Sequence, residues 1–561
     1  MKRCGHFIDG ENHAPDSASR WLPVFDPSTA EVFAEVARGS GDDVEAAVQA
    51  ASRAQPAWAA LPNSQRARWL ERLADALESR SEEFARAESR DGGKPLALAR
   101  EAEIPRAIAN LRFFAHAATQ FASESHHGEA GLNYTLRQPL GVVAAISPWN
   151  LPLYLLTWKI APALAAGNAV VAKPSEVTPL TATMLGELAA EIGFPASVLN
   201  LVHGLGPEVG EALVTHPQVK AVSFTGSTAV GRRIATLAAP LLKKVSLELG
   251  GKNPALVFAD SDWRGHLDTL VRSAFQNSGQ ICLCGSRLLV ERSAYGEFRD
   301  ALVERARALP AGDPAASGTR IGPLVSQAHF DKVLGCIARA REEGGRVLCG
   351  GGAMDRPGWF VEPTVIEGLG PDCASNREEI FGPVATLQPF DDEDQALAGQ
   401  CGRLRPGRLA VDARPGPRPP PGRTAALRDR LDQHLADARP AHAVRRHRCL
   451  GPGPRGRGRG HALLHRGQER RHPGEIVMRK NAVVDSLGVA RASGCCIAPA
   501  SAPAAAILSV GGRFGPMLDF AAWTWAVRRI AVAPLIAWAL GLSYTLPRLK
   551  VFKPRRDGSG S

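Results

Sequence analysis

The chain has 561 residues, 45% of them hydrophobic and 22% charged, with ten scattered cysteines and a formal charge of +11. That is long enough for about three to four ordinary domains and a sizeable core, and the cysteine spacing excludes a disulfide framework. The positive charge does not mark a nucleic-acid or membrane protein as a whole. Residues 399–475 carry 18 arginines against six acidic residues, a surplus of 12 that leaves the remainder close to neutral.

The start, "MKRCGHFIDG", has charges but no apolar stretch, so it is not a secretory signal and a reduced, cytoplasmic chain is expected. "SGDDVEAAVQAASRA" (40–54) opens with Ser40 and Asp43 in capping-box spacing. Val44, Ala47, Val48 and Ala51 then fall on one helical face. Short apolar runs follow at 141–147, 168–173, 198–204, 221–226 and 254–260, most of them separated by helical patterns such as 179–193. Strand and helix in alternation predict a parallel sheet covered on both faces, with ligands at the C-terminal ends of its strands.

The stretch "NSGQICLCGSR" (277–287) holds Cys282 and Cys284. Spacing alone leaves open a metal site, a redox pair, buried small hydrophobes or a nucleophile with a bystander. A metal site is disfavoured, because no further Cys or His lies nearby at zinc spacing. In "FTGSTAVGR" a strand leads to Gly226, Ser227 and a helix starting near Thr228, and such an N-terminus favours a pyrophosphate. On their own Asn150 reads as a turn residue, Glu248 as a surface carboxylate in a helix-like run, and "EEIFGPV" (378–384) as an acidic turn before a strand.

Six motifs occur together and in order: "ISPWNLP" (146–152), "AGNAVVAKPSE" (166–176), "FTGSTAVGR" (224–232), "LELGGKNP" (247–254), "NSGQICLCGSR" and "EEIFGPV". Residues 5–398 resemble the NAD(P)-dependent aldehyde dehydrogenase superfamily. The resemblance implies a Rossmann-type parallel-sheet cofactor domain (1–118 and 139–249), a bridging or oligomerisation segment (119–138) and a smaller α/β catalytic domain (250–398). It also implies roles. Cys282 is the nucleophile, Glu248 the general base, and Asn150 with the Cys282 N–H the oxyanion hole; Cys284 is a buried bystander. Trp149, Lys173, Ser175, Glu176, Gly226, Ser227, Gly231, Glu379 and Phe381 contact the cofactor. Glu176 would accept hydrogen bonds from ribose hydroxyls and repel a 2′-phosphate, which favours NAD. The reaction implied is aldehyde, NAD and water to carboxylate and NADH, through a thiohemiacetal and a thioester on Cys282.

Within that superfamily "RCGHFIDG", "AEIPRAIANLRFFA" and "GQICLC" are most similar to the 2-aminomuconic and 2-hydroxymuconic semialdehyde dehydrogenases. Their substrates carry a carboxylate opposite the aldehyde, and Arg106, with Arg112 as fallback, is the expected anchor. The implied partners are an aldehyde substrate and further copies of the chain, with no metal, nucleic acid or membrane.

Beyond residue 398 the resemblance stops, so the catalytic domain reads as truncated and the oligomerisation strand as lost. Residues 399–475 lack Ile, Phe, Tyr, Trp, Met, Lys, Asn and Ser. They are expected to be disordered, as an out-of-frame translation of a GC-rich coding sequence, with an arginine-rich RNA-binding tail as the alternative. The run 530–546 is short for a membrane span and contains Pro534. A catalytically inactive family member is the other alternative that truncation leaves.

Overall fold

Hydrogen bonds at Ser40 set the start of the first long helix. In the computed structural model, the Ser40 backbone N–H and Oγ both donate to Asp43 Oδ2, at 2.7 and 2.8 Å. Helix Gly41–Ala60 follows, and Val44, Ala47, Val48 and Ala51 are all buried. The structure describes residues 1–128, 131–399, 409–411, 465–472 and 476–477. The chain divides into two units, Met1–Val483 and Val484–Ser561, and every described residue lies in the first.

The predicted apolar runs form a seven-stranded sheet in the order Lys244–Leu249, Val219–Gly226, Val142–Ile146, Ala169–Lys173, Leu199–Leu201, His6–Ile8 and Glu11–His13. The first five are parallel, and the last two add an antiparallel edge. Alternation along the central strands explains why the runs are continuously apolar. Val143, Ala145, Val170 and Ala172 enter one core cluster, while Val142, Ala144, Ile146, Ala169 and Val171 enter another. Both faces are covered, and each buried valine contributes about 1.5–3 kcal/mol.

A second sheet runs Arg346–Cys349, Thr364–Glu367, Val384–Phe390, Arg287–Glu291, Pro254–Val257 and Leu409–Val411, parallel except at its first pair. Segment 250–253 links the last strand of the first sheet to this one. Strands Lys2–Cys4, Glu31–Ala37 and Trp21–Asp26 make a small third sheet.

Two stretches depart from the disorder expected over 399–475. Leu409–Val411 pairs in parallel with Pro254–Val257, and His465–His472 pairs antiparallel with Gly131–Pro139. The hairpin Ser125–Gly128 and Gly131–Pro139 occupies the segment expected to bridge, and its second strand pairs on the other edge with His465–His472. Strand pairing uses backbone groups, so an exposed edge accepts a segment without a favourable composition. The rest of 399–475 and the run 530–546 lie outside the described residues. Among those described, no helix is long and apolar enough to cross a membrane, and no group of three His, Cys, Asp or Glu could hold a metal ion.

Candidate functional site

The first sheet presents the C-terminal ends of its strands, as expected for ligand contacts. Val142–Ile146 ends before Trp149 and Asn150, Ala169–Lys173 before Ser175 and Glu176, Val219–Gly226 before Ser227, and Lys244–Leu249 just after Glu248. The second sheet contributes the opposite ends. The segments holding Asn253, Cys282 and Phe381 all precede their strands. The site lies where these two edges meet.

Asn150 sits between the strand end and helix Pro152–Ala165, which has proline in its first turn. It is buried, and its Nδ2 donates to the Gln280 carbonyl at 2.9 Å. Its own carbonyl accepts from Lys94 Nζ at 3.1 Å and Asn277 Nδ2 at 3.2 Å. The side-chain amide therefore lies against the segment that carries Cys282, two residues beyond Gln280.

That segment is tightly constrained. Asn277 and Ser278 hold left-handed backbone with φ of 53° and 54°, unusual for residues with a Cβ. At Gly279 a Cβ would lie 1.9 Å from the Gly382 carbonyl oxygen, so only glycine allows the approach. Asn253 Nδ2 then donates to the carbonyls of Cys282 at 2.8 Å and Cys284 at 3.3 Å. Cys282 is half-buried and Cys284 buried. The segment turns at this point, with Cys284 N donating to Ile281 O at 3.0 Å. Burial pushes the Cys284 thiol up to about 12, so it stays protonated and a poor nucleophile near neutral pH.

Glu248 lies on strand Lys244–Leu249, paired in register with Thr225, not in a helix-like run. The strict polar–apolar alternation of "KVSLEL" was the signal that could have placed Glu248 on a strand. Lys159 Nζ donates to Thr225 Oγ1 at 2.6 Å. Burial lowers Lys159 to about 8, partly opposed by Glu248. Tyr154 is raised, first by burial, and its hydroxyl feels Arg106, Cys282, Glu103 and Glu248 together. One tyrosine thus reports that Cys282, Glu248 and Arg106 share a neighbourhood.

The residues singled out for the cofactor form two groups. Lys173 Nζ donates to Pro174 O at 2.8 Å and to Glu176 Oε2 at 3.0 Å, and Ser175 Oγ accepts from Val177 N at 3.2 Å. Gly226 ends its strand, and Ser227 caps helix Thr228–Ala238 by accepting from Val230 N at 3.3 Å. Gly231 in that helix packs so closely that a Cβ would come within 2.4 Å of Leu249 Cδ2.

Trp149, Glu379 and Phe381 gather on the other side. The Trp149 ring lies 5.0 Å from His329 and 5.4 Å from Phe381. Phe381 has φ of 64°, and its carbonyl is 2.7 Å from His329 Nε2. Glu379 Oε1 accepts from Gly251 N at 3.3 Å, and a Cβ at Gly250 would meet Glu379 Oε2 at 1.9 Å. The glycines after Glu248 thus admit the Glu379 carboxylate.

Arg106, in the first turn of helix Ile104–Thr119, is half-buried beside Tyr154. Arg112 does not serve as the fallback. It faces outward, donating to Asp75 Oδ1 at 2.8 Å and Glu78 Oε1 at 3.2 Å. Two turns of helix separate it from Arg106, and its fork is already filled.

Several residues at the site escaped sequence reasoning. Lys94, Glu88 and Glu103 form a buried charged cluster under Asn150, while Asn253 and Asn277 hold the backbone. The three charges of the first group lie six and nine residues apart in a charge-rich stretch, so no local signal marked them as buried. The amides gave none, because their partners are carbonyls remote in sequence.

The aldehyde dehydrogenase family pattern matches residues 13–400. The 2-aminomuconic semialdehyde dehydrogenase of Bos taurus is 49% identical over 390 residues, covering 68% of this chain and 80% of its own. The 2-hydroxymuconic semialdehyde dehydrogenase of Pseudomonas sp. (strain CF600) is 43% identical over 409 residues, covering 71% and 84%. Among solved structures, PnpE in complex with nicotinamide adenine dinucleotide is 41% identical with a TM-score of 0.69, covering 71% of this chain and 82% of its own. The family match takes in every site residue and the central strands of both sheets, and with these relatives it shows that the protein belongs to the aldehyde dehydrogenase family of oxidoreductases.

Proposed function

We propose that the chain oxidises a semialdehyde of the 2-aminomuconate or 2-hydroxymuconate class to its carboxylate, with NAD as the acceptor. The observation that carries this reading is the Asn150 amide lying on the Cys282 segment while Tyr154 feels both Cys282 and Glu248. The names of the relatives support the substrate class.

The residues present fit a dinucleotide. The eleven-residue helix Thr228–Ala238 starts directly at a strand end, its Ser227 cap is exposed and its first turn holds no acidic residue. Such an N-terminus suits a pyrophosphate. Glu176 would meet ribose hydroxyls, and Trp149, Glu379 and Phe381 would bound the nicotinamide end. Bound NAD supplies a hydride acceptor.

This chain's own residues do the rest. Cys282 Sγ adds to the aldehyde carbon, and the Asn150 amide and the Cys282 N–H stabilise the oxygen that gains charge. Glu248 takes a proton from the water that cleaves the Cys282 thioester. Arg106 pairs with the substrate carboxylate through its fork.

The test is NADH absorbance with 2-hydroxymuconate semialdehyde. The chain is expected to produce NADH and the Cys282→Ala variant none, a loss of at least about a thousandfold. Equal rates for the two would remove Cys282 from the mechanism, and no NADH from either would end the reading.

A further inference from the structure

No chemical step calls on the buried charges beneath Asn150. Lys94 and Glu88 are fully buried and Glu103 nearly so. An ammonium has three protons to donate. Here one goes to Glu103, one to Glu88 Oε1 at 3.4 Å and one to the Asn150 carbonyl at 3.1 Å. The first two balance charge. The third reaches out of the cluster and holds a peptide of the site.

The cluster is tied to neighbouring helices. Glu88 also accepts from Thr181 Oγ1 at 2.7 Å and from Leu153 N, in the first turn of helix Pro152–Ala165, at 3.4 Å. Asp91 accepts from Leu180 N, the first residue of helix Leu180–Glu191, at 2.8 Å. Helix Ser81–Gly92 therefore sends carboxylates to the start of both helices. Gly93, with φ of 69°, turns the chain so that Lys94 points back between them. A Cβ there would lie 2.6 Å from Pro323 Cγ. Ser89 Oγ fixes the Lys94 carbonyl at 2.7 Å.

Burying an ammonium costs several kcal/mol unless its partners are well placed, and an apolar residue of similar volume often serves stability as well. What an apolar residue cannot do is donate to the Asn150 carbonyl. The second donor to that carbonyl, Asn277, comes from the nucleophile segment. One oxygen therefore ties the Asn150 corner to the Cys282 segment.

We propose that Lys94, together with Asn277, is a positioning residue: it clamps the Asn150 carbonyl so that the Asn150 side-chain amide stays aimed at the oxygen of the carbonyl that Cys282 attacks. The inference rests on the proposed roles of Cys282 and Asn150.

The test compares two reactions of Cys282 that need no cofactor. With p-nitrophenyl acetate the thiolate forms an S–acetyl bond, p-nitrophenolate departs, and a tetrahedral oxyanion must be stabilised on the way. With iodoacetamide an S–C bond forms, iodide departs, and no oxyanion arises. The Lys94→Met variant is combined with Glu88→Gln and Glu103→Gln so that neither partner is left as an unpaired buried carboxylate. It is expected to acylate about tenfold more slowly, with alkylation within about twofold of the parent chain.

Asn277→Gly keeps the left-handed backbone and all the charges, so it serves if the combined variant does not fold. It is expected to show the same selective loss of acylation, about threefold. A loss of acylation and alkylation in equal proportion, or of neither, overturns the positioning role. A parent chain that p-nitrophenyl acetate acylates no faster than Cys282→Ala overturns the proposed function, and this inference with it.

Discussion

On one side of the site Lys94 is buried among two carboxylates and a carbonyl. On the other, Lys252 is buried with no hydrogen-bond partner for its Nζ among the described residues. Burial depresses both. At Lys94, Glu103 and Glu88 more than offset it, and the lysine ends above its ordinary 10.5. At Lys252 burial is joined by the nearby Arg287 charge, which Glu379 only partly opposes, and the lysine falls to about 8. Burial pushes Glu103 itself up, and Lys94 opposes that shift. Equal burial of the same residue type thus has opposite outcomes, and neighbouring carboxylates decide which. The Asn150 corner is held by charge-assisted bonds. The Cys282 segment is held by neutral amides, chiefly Asn253.

The sharpest way to break this comparison is to remove what the charged side positions. Asn150→Ala deletes the proposed oxyanion donor and its single bond to the Gln280 carbonyl, and leaves the Lys94 cluster and the Asn253 bonds to the Cys282 segment in place. Acylation by p-nitrophenyl acetate is expected to fall about 10²- to 10³-fold, with alkylation by iodoacetamide within about twofold to threefold of the parent. A fall of less than about threefold would show that the charged corner is built for the fold alone.

Lys252 separates the two sides by stability. Its folded value of about 8 lies below the ordinary 10.5, so between these two pH values the unfolded chain keeps a proton that the folded chain sheds. Stability therefore rises with pH across that window, and below pH 8 the fold carries the full penalty of a buried charge, about 3 kcal/mol. Lys252→Met is expected to gain up to about that amount in urea unfolding at pH 7 and to match the parent near pH 10.5. Lys159 and Lys243 also fall to about 8, so the difference between the two chains, and not the parent curve, isolates Lys252. A Lys252→Met chain that loses stability at pH 7 would show that this lysine has partners as binding as those of Lys94.

How legible the molecule was in its sequence follows the same division. Continuous apolar runs at 141–147 and 168–173 announced strands buried on both faces, because alternation vanishes when both faces are covered. Ser40 and Ser227 announced helix starts, because capping is local. Asn150 and Glu248 had no such signature by themselves. A turn asparagine and a half-buried strand glutamate acquire meaning only from what the fold brings beside them, and ordered motifs stood in for that information. The second sheet was the less legible. Its site segments precede their strands, so the expectation of ligands at C-terminal ends pointed only to the first sheet. Lys94 was missed because a buried ammonium is recognised by partners six, nine and 56 residues away. Leu409–Val411 and His465–His472 were missed because edge pairing does not need a particular composition.

The smallest effect tests the neutral side directly. Asn253 is the side chain that captures two carbonyls of the Cys282 segment, those of Cys282 at 2.8 Å and Cys284 at 3.3 Å. Neutral hydrogen bonds of this kind contribute about 1 kcal/mol each, less than those made by an ion. Asn253→Ala removes both while leaving the backbone bond from Arg287 N to its carbonyl, so strand Pro254–Val257 keeps its start. The Cys282 segment then samples other conformations, and every reaction of its sulfur slows by the fraction of time it spends misplaced. Acylation and alkylation are both expected to fall about fivefold to tenfold, with their ratio preserved. That preserved ratio separates holding the nucleophile from aiming the oxyanion donor. If Asn253→Ala instead lowered acylation alone, the two sides of the site would be coupled through the carbonyl of Asn150 more tightly than their separate bonding implies.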